Sequence, residues 1–207
     1  PEPAGVSVDL SHELAEALKL PLRLMPVISA AQSVQAVTHG QADIGFFAID
    51  PVRGQGIAFT PPYILIEGSY LVRKEAPLTD NSQVDQTGQR VVVGQGSAYD
   101  LFLTRELKNA ELVRAPTSPQ VVPFFLSGPY DVAAGVKQQL ESDMQKYDHL
   151  RLLPGRFMVI EQAMGQPSGA SPAARKFLAD FVARMKSERF VQQSLLRHRI
   201  EGASIAP

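Results

Sequence analysis

One pattern occurs twice in this chain: a helix-like segment, a glycine, an aspartate three residues later and a short apolar run. The first copy, HGQADIGFF, contains Gly40 and Asp43, and the second, LSGPYDVAAG, contains Gly128 and Asp131. A repeated helix–turn–strand unit predicts a helix-covered sheet that is built twice. Both aspartates stand where a strand begins, so we interpret them as structural acceptors for turn amides.

Strand-like and helix-like segments alternate on both sides of a polar stretch at residues 74–90. Apolar runs predict strands at residues 22–27, 43–47, 63–73, 90–94, 111–115, 130–135 and 157–165, and residues 150–154 as extended. Helical spacing predicts helices that begin at Asp9 and Ala30, helices at 98–108, 118–126 and 136–147, and two closing helices. Asp9 and Ser118 are the expected N-caps of their helices. This alternation is typical of an α/β fold with a mostly parallel, helix-covered sheet.

The composition argues against several classes of function. The 207 residues carry a net charge of −1, with no basic cluster, so we do not expect nucleic-acid binding. The apolar runs are far too short to span a membrane. The chain has no cysteine and its four histidines are scattered, so no metal or other cofactor is expected. Because Pro1 is not a natural start, we expect a processed chain without its signal peptide.

The position of a ligand site follows from the predicted sheet. Open α/β sheets bind ligands at the carboxyl ends of strands, which predicts a site at residues 46–53, 94–99, 116–118 and 134–137. Three of these segments lead into helix N-termini, which favour an anionic ligand. In GQGSAY, Ser97 either only caps the helix or also contacts the ligand. Tyr99 and Gln95 replace glycines that a dinucleotide loop and a nucleophile elbow require.

Three charged residues are candidates for chemistry at this site. Arg53 follows a strand end, where a guanidinium can grip a carboxylate with two parallel hydrogen bonds; the alternative is a surface arginine. Glu67 and Glu161 lie inside otherwise apolar strand segments, where each faces either a cleft or solvent. Period-two alternation sends the rings of Phe46 and Phe47 to opposite faces of their strand.

Several stretches, taken in order, resemble the amino-acid-type periplasmic solute-binding proteins, solute-binding family 3. GVSVDLSHELAEAL, QAVTHGQADIGFF and RGQGIAFTPPYILIEGSYLV resemble the first lobe of that family. VVVGQGSAYDLFL and LSGPYDVAAGV resemble its second lobe, and FLADFVARMKSERFVQQSL resembles its closing helices. The resemblance covers nearly the whole chain.

The resemblance implies a type II periplasmic-binding fold with two α/β lobes, residues 1–73 with 161–207 and residues 74–160. Two crossing hinge strands would join the lobes, and the ligand would lie between them. Arg53 matches the arginine that grips the ligand carboxylate, and Ser97 and Ala98 match a ligand-contacting loop of the second lobe. The candidate ligand-binding residues are therefore Phe47, Ala48, Asp50, Arg53, Glu67, Gly96, Ser97, Ala98, Tyr99, Thr117 and Val136.

The sequence departs from the family pattern at four points. The strand that normally precedes GVSVDL is not present, and the segment from Asp43 to Arg53 is shorter than usual. Ala48 stands in a region where the family often has Ser or Thr. Val136 replaces an aspartate that usually binds the ammonium group of the ligand. A carboxylate without an ammonium group, or a ligand held differently, fits this sequence better.

The leading hypothesis is a monomeric, non-enzymatic, periplasmic protein that closes around a small carboxylate or amino-acid-like solute. It would present this solute to the permease of an ABC importer. One alternative is an enzyme on the same scaffold, resembling the cyclohexadienyl dehydratases, with Glu67 or Glu161 as its acid. The other is the ligand-sensing module of a larger receptor.

Overall fold

Two compact units make up the part of the chain that the computed structural model describes, residues 3–207. One unit runs to Leu65 and resumes at Glu161, and the other is Ile66–Ile160. The first boundary precedes the one placed at residue 73 from the sequence. Most of the strand that crosses it belongs to the second unit, because its residues 68–73 pair with strands there.

The elements of residues 3–207 combine helices with strands, which is the α/β class that the sequence predicts. The helices are α1 (Val6–Leu18), α2 (Ala30–Thr38), α3 (Ala98–Glu106), α4 (Val121–Ser127), α5 (Lys137–Met144), α6 (Pro172–Ser187) and α7 (Phe190–Arg197). The strands are β1 (Gly45–Ala48), β2 (Ile57–Phe59), β3 (Ile64–Arg73), β4 (Arg90–Gly94), β5 (Glu111–Ala115), β6 (Val132–Val136), β7 (Leu150–Leu152), β8 (Met158–Pro167) and β9 (Ala203–Ile205). None of these helices is both long enough and apolar enough to cross a bilayer.

Strand β8 organises the sheet of the first unit. It pairs antiparallel with β1, where Gly45 lies opposite Gly165, and also with β2. A Cβ atom at Gly165 would lie 2.5 Å from Ile57 and 2.8 Å from Phe47, so glycine lets both side chains pack against the strand. Ile57, Phe47 and Val37 of α2 form a buried cluster there. The predicted parallel arrangement is wrong for this unit, since β8 arrives from the second unit and not through a helical crossover.

The helices of the first unit bury the stripes that their spacing predicts. Leu10 of α1 is fully buried, and α6 buries Phe181 and Met185. Ser171 caps α6 by accepting a hydrogen bond from the backbone N–H of Ala174 at 3.2 Å. Phe177 of α6 and Leu196 of α7 are exposed, so they lie outside the buried faces of these helices.

The second unit contains the parallel strands. Strand β4 pairs parallel with β5 and β6, whereas β3 pairs antiparallel with β6 and β7. Helix α4 packs Phe125 onto this sheet beside Val92 and Leu140 of α5. The carboxylate of Asp131 accepts a hydrogen bond from the backbone N–H of Arg90 at 2.8 Å. That contact ties the entrance of β6 to the start of β4 and supports a structural role for the aspartate.

The segment LRLMPV, residues 22–27, is not a strand, contrary to the prediction from its alternating apolar residues. All of its residues are exposed and belong to no helix or strand. Pro26 lacks the N–H group that a strand would donate. In residues 3–207 no strand pairs with this segment, and alternation alone does not form a strand without a partner.

Two predicted N-caps are also wrong. Helix α1 begins at Val6, so Asp9 lies in its first turn rather than before it. The Asp9 carboxylate accepts hydrogen bonds from Ser194 and Arg197 of α7 and contacts the ring of His198. Ser118 opens a short 3-10 turn, Ser118–Gln120, that precedes α4. Neither displacement is visible in local sequence, because each depends on where the preceding loop enters the helix.

Candidate ligand-binding site

Arg53 is held at the carboxyl end of β1 in a short 3-10 turn, Arg53–Gln55. The residue is 6% exposed, and its Nη1 donates a hydrogen bond to the carbonyl oxygen of Ala48 at 3.2 Å. Burial lowers the pKa of the guanidinium, and the charge of Asp50 opposes that effect. The carboxylate of Asp50 accepts the backbone N–H of Val52 at 2.8 Å, which fixes the turn. Arg53 is therefore a buried, positioned cation and not a surface arginine.

The two phenylalanines of β1 have different surroundings, as period-two alternation predicts. Phe47 is 2% exposed and lies in the buried cluster of the first unit. Phe46 is half-buried and packs edge-on against the ring of Tyr63, with the ring centroids 6.3 Å apart. The side chain of Phe47, one of the candidate ligand-binding residues, is thus part of the core of the first unit.

The loop between β4 and α3 is closed by reciprocal hydrogen bonds. Ser97 Oγ accepts the backbone N–H of Asp100 at 3.1 Å, and Asp100 Oδ2 accepts the backbone N–H of Gly96 at 2.8 Å. Gly96 has φ 69°, a conformation that favours glycine. Arg114 Nε donates to Asp100 Oδ1 at 3.0 Å. An acid therefore occupies the first turn of α3, and its charge offsets part of the anion preference expected for that helix end.

A cavity of about 230 Å³ lies within the second unit. Its lining comes from the segments that follow β4, β5 and β6: Tyr99, Ser118, Pro119, Val121, Val122, Gly135, Val136, Gln139, Leu140 and Asp143. Two candidate residues, Tyr99 and Val136, meet here. Burial raises the pKa of the Tyr99 phenol, against the effect of hydrogen bonds from Ser118 and Ser97. The phenol therefore stays neutral at physiological pH.

Thr117 and Ala98 complete the strand-end loops of the second unit. The Thr117 hydroxyl donates to Gln120 Oε1 at 3.0 Å across the 3-10 turn that begins at Ser118. Ala98 begins α3, directly after the Ser97 cap. Neither residue lines the cavity, so the structure groups Tyr99 with Val136 and leaves these two on adjacent turns.

Glu67 lies on β3 beside the residue that pairs with Val136. Its carboxylate forms ion pairs with Lys137 at 3.2 Å and with Arg156 at 2.9 Å. Hydrogen bonds from Lys137 and Arg156 lower the pKa of Glu67. Glu161, the other strand acid, is exposed. Glu67 is thus an ionised carboxylate whose charge is balanced by Lys137 and Arg156. It is not a buried proton donor.

Two polar residues that line the cavity, Gln139 and Asp143, are not among the candidates predicted from the sequence. Asp143 is 5% exposed, and its carboxylate accepts hydrogen bonds from Gln139 at 3.1 Å and from Lys146 at 3.0 Å. A usable signal was present, because these residues stand three and seven positions after Val136. Residues at that spacing share one face of a helix.

No group of His, Asp or Glu in residues 3–207 is arranged to hold a metal ion. Three histidines, His12, His39 and His149, are exposed. The fourth, His198, contacts Asp9 through Nε2 at 3.0 Å.

The sequence matches the model of one protein family over residues 1–196: bacterial extracellular solute-binding proteins, family 3. The chain belongs to that family. Residues 3–207 of this family member form the two compact units described above. No curated protein matches the sequence.

Solved structures share the fold of this family member. An ABC transporter binding component from Wolinella succinogenes, complexed with lysine, is 24% identical; the match covers 93% of this chain and 84% of that one, with TM-score 0.79. An amino acid ABC transporter substrate-binding protein from Streptococcus pneumoniae, bound to L-arginine, is 18% identical, with coverages of 94% and 83% and TM-score 0.78. A histidine kinase sensor domain similar to periplasmic binding proteins is 15% identical, with coverages of 99% and 89% and TM-score 0.82. At these identities the likeness concerns the fold.

Proposed function

We propose that this protein captures a small carboxylate-containing solute outside the cytoplasm, in the periplasm, and delivers it as a monomer to the permease of an ABC importer. The observation that carries this proposal is Arg53. A guanidinium that is 6% exposed and fixed to Ala48 at a strand end is positioned before any ligand arrives. A prepositioned arginine can pair with a carboxylate through two parallel hydrogen bonds at little cost in side-chain entropy.

The second unit has candidate contacts of its own at its strand ends: Ser97, Thr117 and Val136. Two of the similar solved proteins, those with lysine and with L-arginine, hold an amino acid. Because both of these ligands carry a carboxylate, they support a carboxylate-containing ligand of amino-acid size for this chain.

The ligand of this chain lacks an ammonium group at the position of Val136. A valine offers no charge and no hydrogen bond, so an ammonium there would be desolvated without compensation. The acids that were candidates to replace it have other roles. Asp50 binds the N–H of Val52, Glu67 is paired with two cations and Glu161 is exposed.

We further propose that the solute is bound and released unchanged. An enzyme of the dehydratase type would need a protonated acid near neutral pH. The lowered pKa of Glu67 keeps that carboxylate ionised there. The sensory alternative has a structural counterpart in the kinase sensor domain. The neighbouring genes discriminate the two roles: a permease gene would support transport, and a kinase gene would support sensing.

A thermal-shift screen tests the proposal. The purified protein is mixed with monocarboxylates, dicarboxylates, keto acids and amino acids, and its Tm is measured with each. A ligand at about a hundred times its Kd stabilises the folded state by roughly 2.7 kcal/mol, which raises the Tm by several degrees. We expect at least one carboxylate to do so and to be recovered unchanged by NMR. A panel without any shift, or a consumed ligand, would overturn the proposal.

A further inference from the structure

The cavity of the second unit opens at the edge of the sheet where its parallel strands end. Tyr99 follows β4, Ser118 follows β5 and Val136 is the last residue of β6. In open α/β sheets this edge is where ligands bind. The cavity therefore lies on the functional side of the unit and is not a packing gap at its opposite end.

The walls of the cavity are mostly apolar. Val121 and Val122 of α4 line one side, Leu140 of α5 lines another, and Val136 and Pro119 complete the lining with the ring of Tyr99. Val121, Val122 and Leu140 are themselves buried and packed into the core of the unit, so these walls do not move freely. A preformed apolar space favours an apolar group that enters it.

The one carboxylate among the lining residues of the cavity, Asp143, already has two partners. Both carboxylate oxygens of Asp143 accept hydrogen bonds, one from Gln139 and one from Lys146. A second carboxylate would be repelled by Asp143, and an ammonium would have to compete with Lys146 for it. A charged group that enters this space would lose its hydration and would meet mostly apolar walls.

We infer that the cavity receives an apolar tail of the solute, either a branched aliphatic group or a single aromatic ring. This inference rests on the proposed function and adds to it the class of solute: a carboxylate at one end and an uncharged apolar tail at the other. The size is adequate, because an apolar cavity of about 150 Å³ already admits a benzene ring. We therefore expect dicarboxylates and solutes with a cationic tail to bind less tightly than solutes with an apolar tail.

Calorimetry on the wild-type protein tests the inference with solutes that share one head group and differ in the tail. Isocaproate and hydrocinnamate are compared with glutarate and ε-aminocaproate, and L-leucine with L-glutamate and L-lysine. Within whichever series binds, we expect the apolar-tailed member to bind at least about tenfold more tightly, the discrimination that a well-fitted hydrophobic pocket provides. A charged-tail member that binds as well or better overturns the inference and leaves the proposed function standing. If no carboxylate of either series binds, both fail.

A matched pair of variants locates the effect. Val136→Phe places a ring at the cavity lining, whereas Glu141→Phe places the same ring at an exposed position of α5 outside it. We expect Val136→Phe to weaken the apolar-tailed solute at least about tenfold and Glu141→Phe to leave its Kd unchanged. Equal affinities of the two variants would contradict the assignment. The wild-type series decides the matter without them if Val136→Phe does not fold.

Discussion

Ser97 Oγ accepts a hydrogen bond from the backbone N–H of Asp100 at 3.1 Å, the same capping contact that Ser171 makes with Ala174 at 3.2 Å on another helix. The two serines thus share one structural role. Ser97 alone stands at a predicted ligand-binding loop. Comparing the two separates capping from binding.

We expect Ser97→Ala and Ser171→Ala each to lower the free energy of unfolding by about 0.5–2 kcal/mol, because each removes an N-cap. Urea unfolding measures this loss. Only Ser97→Ala should also weaken the solute in calorimetry. If both variants keep wild-type affinity, Ser97 is a cap and nothing more.

Val136→Asp restores the acid that the family pattern has at this position. A carboxylate beside the apolar lining should weaken the native solute at least about tenfold and favour α-amino acids, whose ammonium group it can pair with. Calorimetry with the solute and with its α-amino counterpart gives both values. Wild-type protein that already binds ordinary L-amino acids at micromolar Kd, with no acid near the ammonium group, would show that Val136 has been misinterpreted.

The Asp9 carboxylate joins α1 to α7 through three contacts: Ser194 at 2.5 Å, Arg197 at 3.0 Å and His198 at 3.0 Å. Burial raises the pKa of Asp9, but the hydrogen bonds from Ser194 and His198 and the neighbouring positive charges outweigh it, so the pKa is lowered overall. The ionised carboxylate therefore stabilises the fold above its unfolded-state pKa of about 3.9, and this stabilisation is lost as the pH falls through the folded value.

Asp9→Asn should cost about 1.5–3 kcal/mol of unfolding free energy at neutral pH, the range for hydrogen bonds to a charged group. The difference from wild type should shrink below about pH 4. Asp180→Asn is the control, because Asp180 pairs with Lys176 on an exposed helix surface and should contribute less than about 1 kcal/mol. Chemical denaturation from neutral to acidic pH gives the comparison, and a gap that stays constant with pH would contradict this account of Asp9.

The exposed segment that follows α1, residues 19–28, and the buried residues of α1 lead to different expectations for the same substitution. Leu10 is 0% exposed, so Leu10→Ala should cost about 2–5 kcal/mol of unfolding free energy. Leu20 is 61% exposed, so Leu20→Ala should change it by less than about 0.5 kcal/mol. Denaturant midpoints measure both. A large loss at Leu20 would mean that this segment packs against something in the folded protein.

The bounds of a strand could be predicted from the sequence where residues at its own end stop it. Strands β4 and β5 begin and end where the sequence predicts, because Gly94 and the Ala115–Pro116 step stop them. Residues 22–27 show the limit, since their alternation specifies a strand only if another strand is available to pair with.

The candidate site depends on contacts between distant parts of the chain. In the candidate site, Arg114 of β5 donates to Asp100 of α3; outside the site, His198 contacts Asp9 from near the other end of the sequence. No sequence period encodes such pairs. The position of Arg53 after a strand end was predictable from the adjacent residues, whereas its ligand-binding role stays a prediction. Gln139 and Asp143 share one face of α5, the helix that follows Val136.

The central claim is tested most directly by calorimetry. The solute found by the thermal-shift screen is titrated into wild type, Arg53→Ala and Arg23→Ala. Arg23 is exposed and serves as the control for loss of a positive charge. We expect one solute per wild-type chain, the same Kd for Arg23→Ala, and a binding free energy weaker by about 2–5 kcal/mol for Arg53→Ala, because a buried bidentate charge pair is lost. Near-wild-type affinity in a folded Arg53→Ala protein would contradict the assignment of Arg53 as the carboxylate anchor.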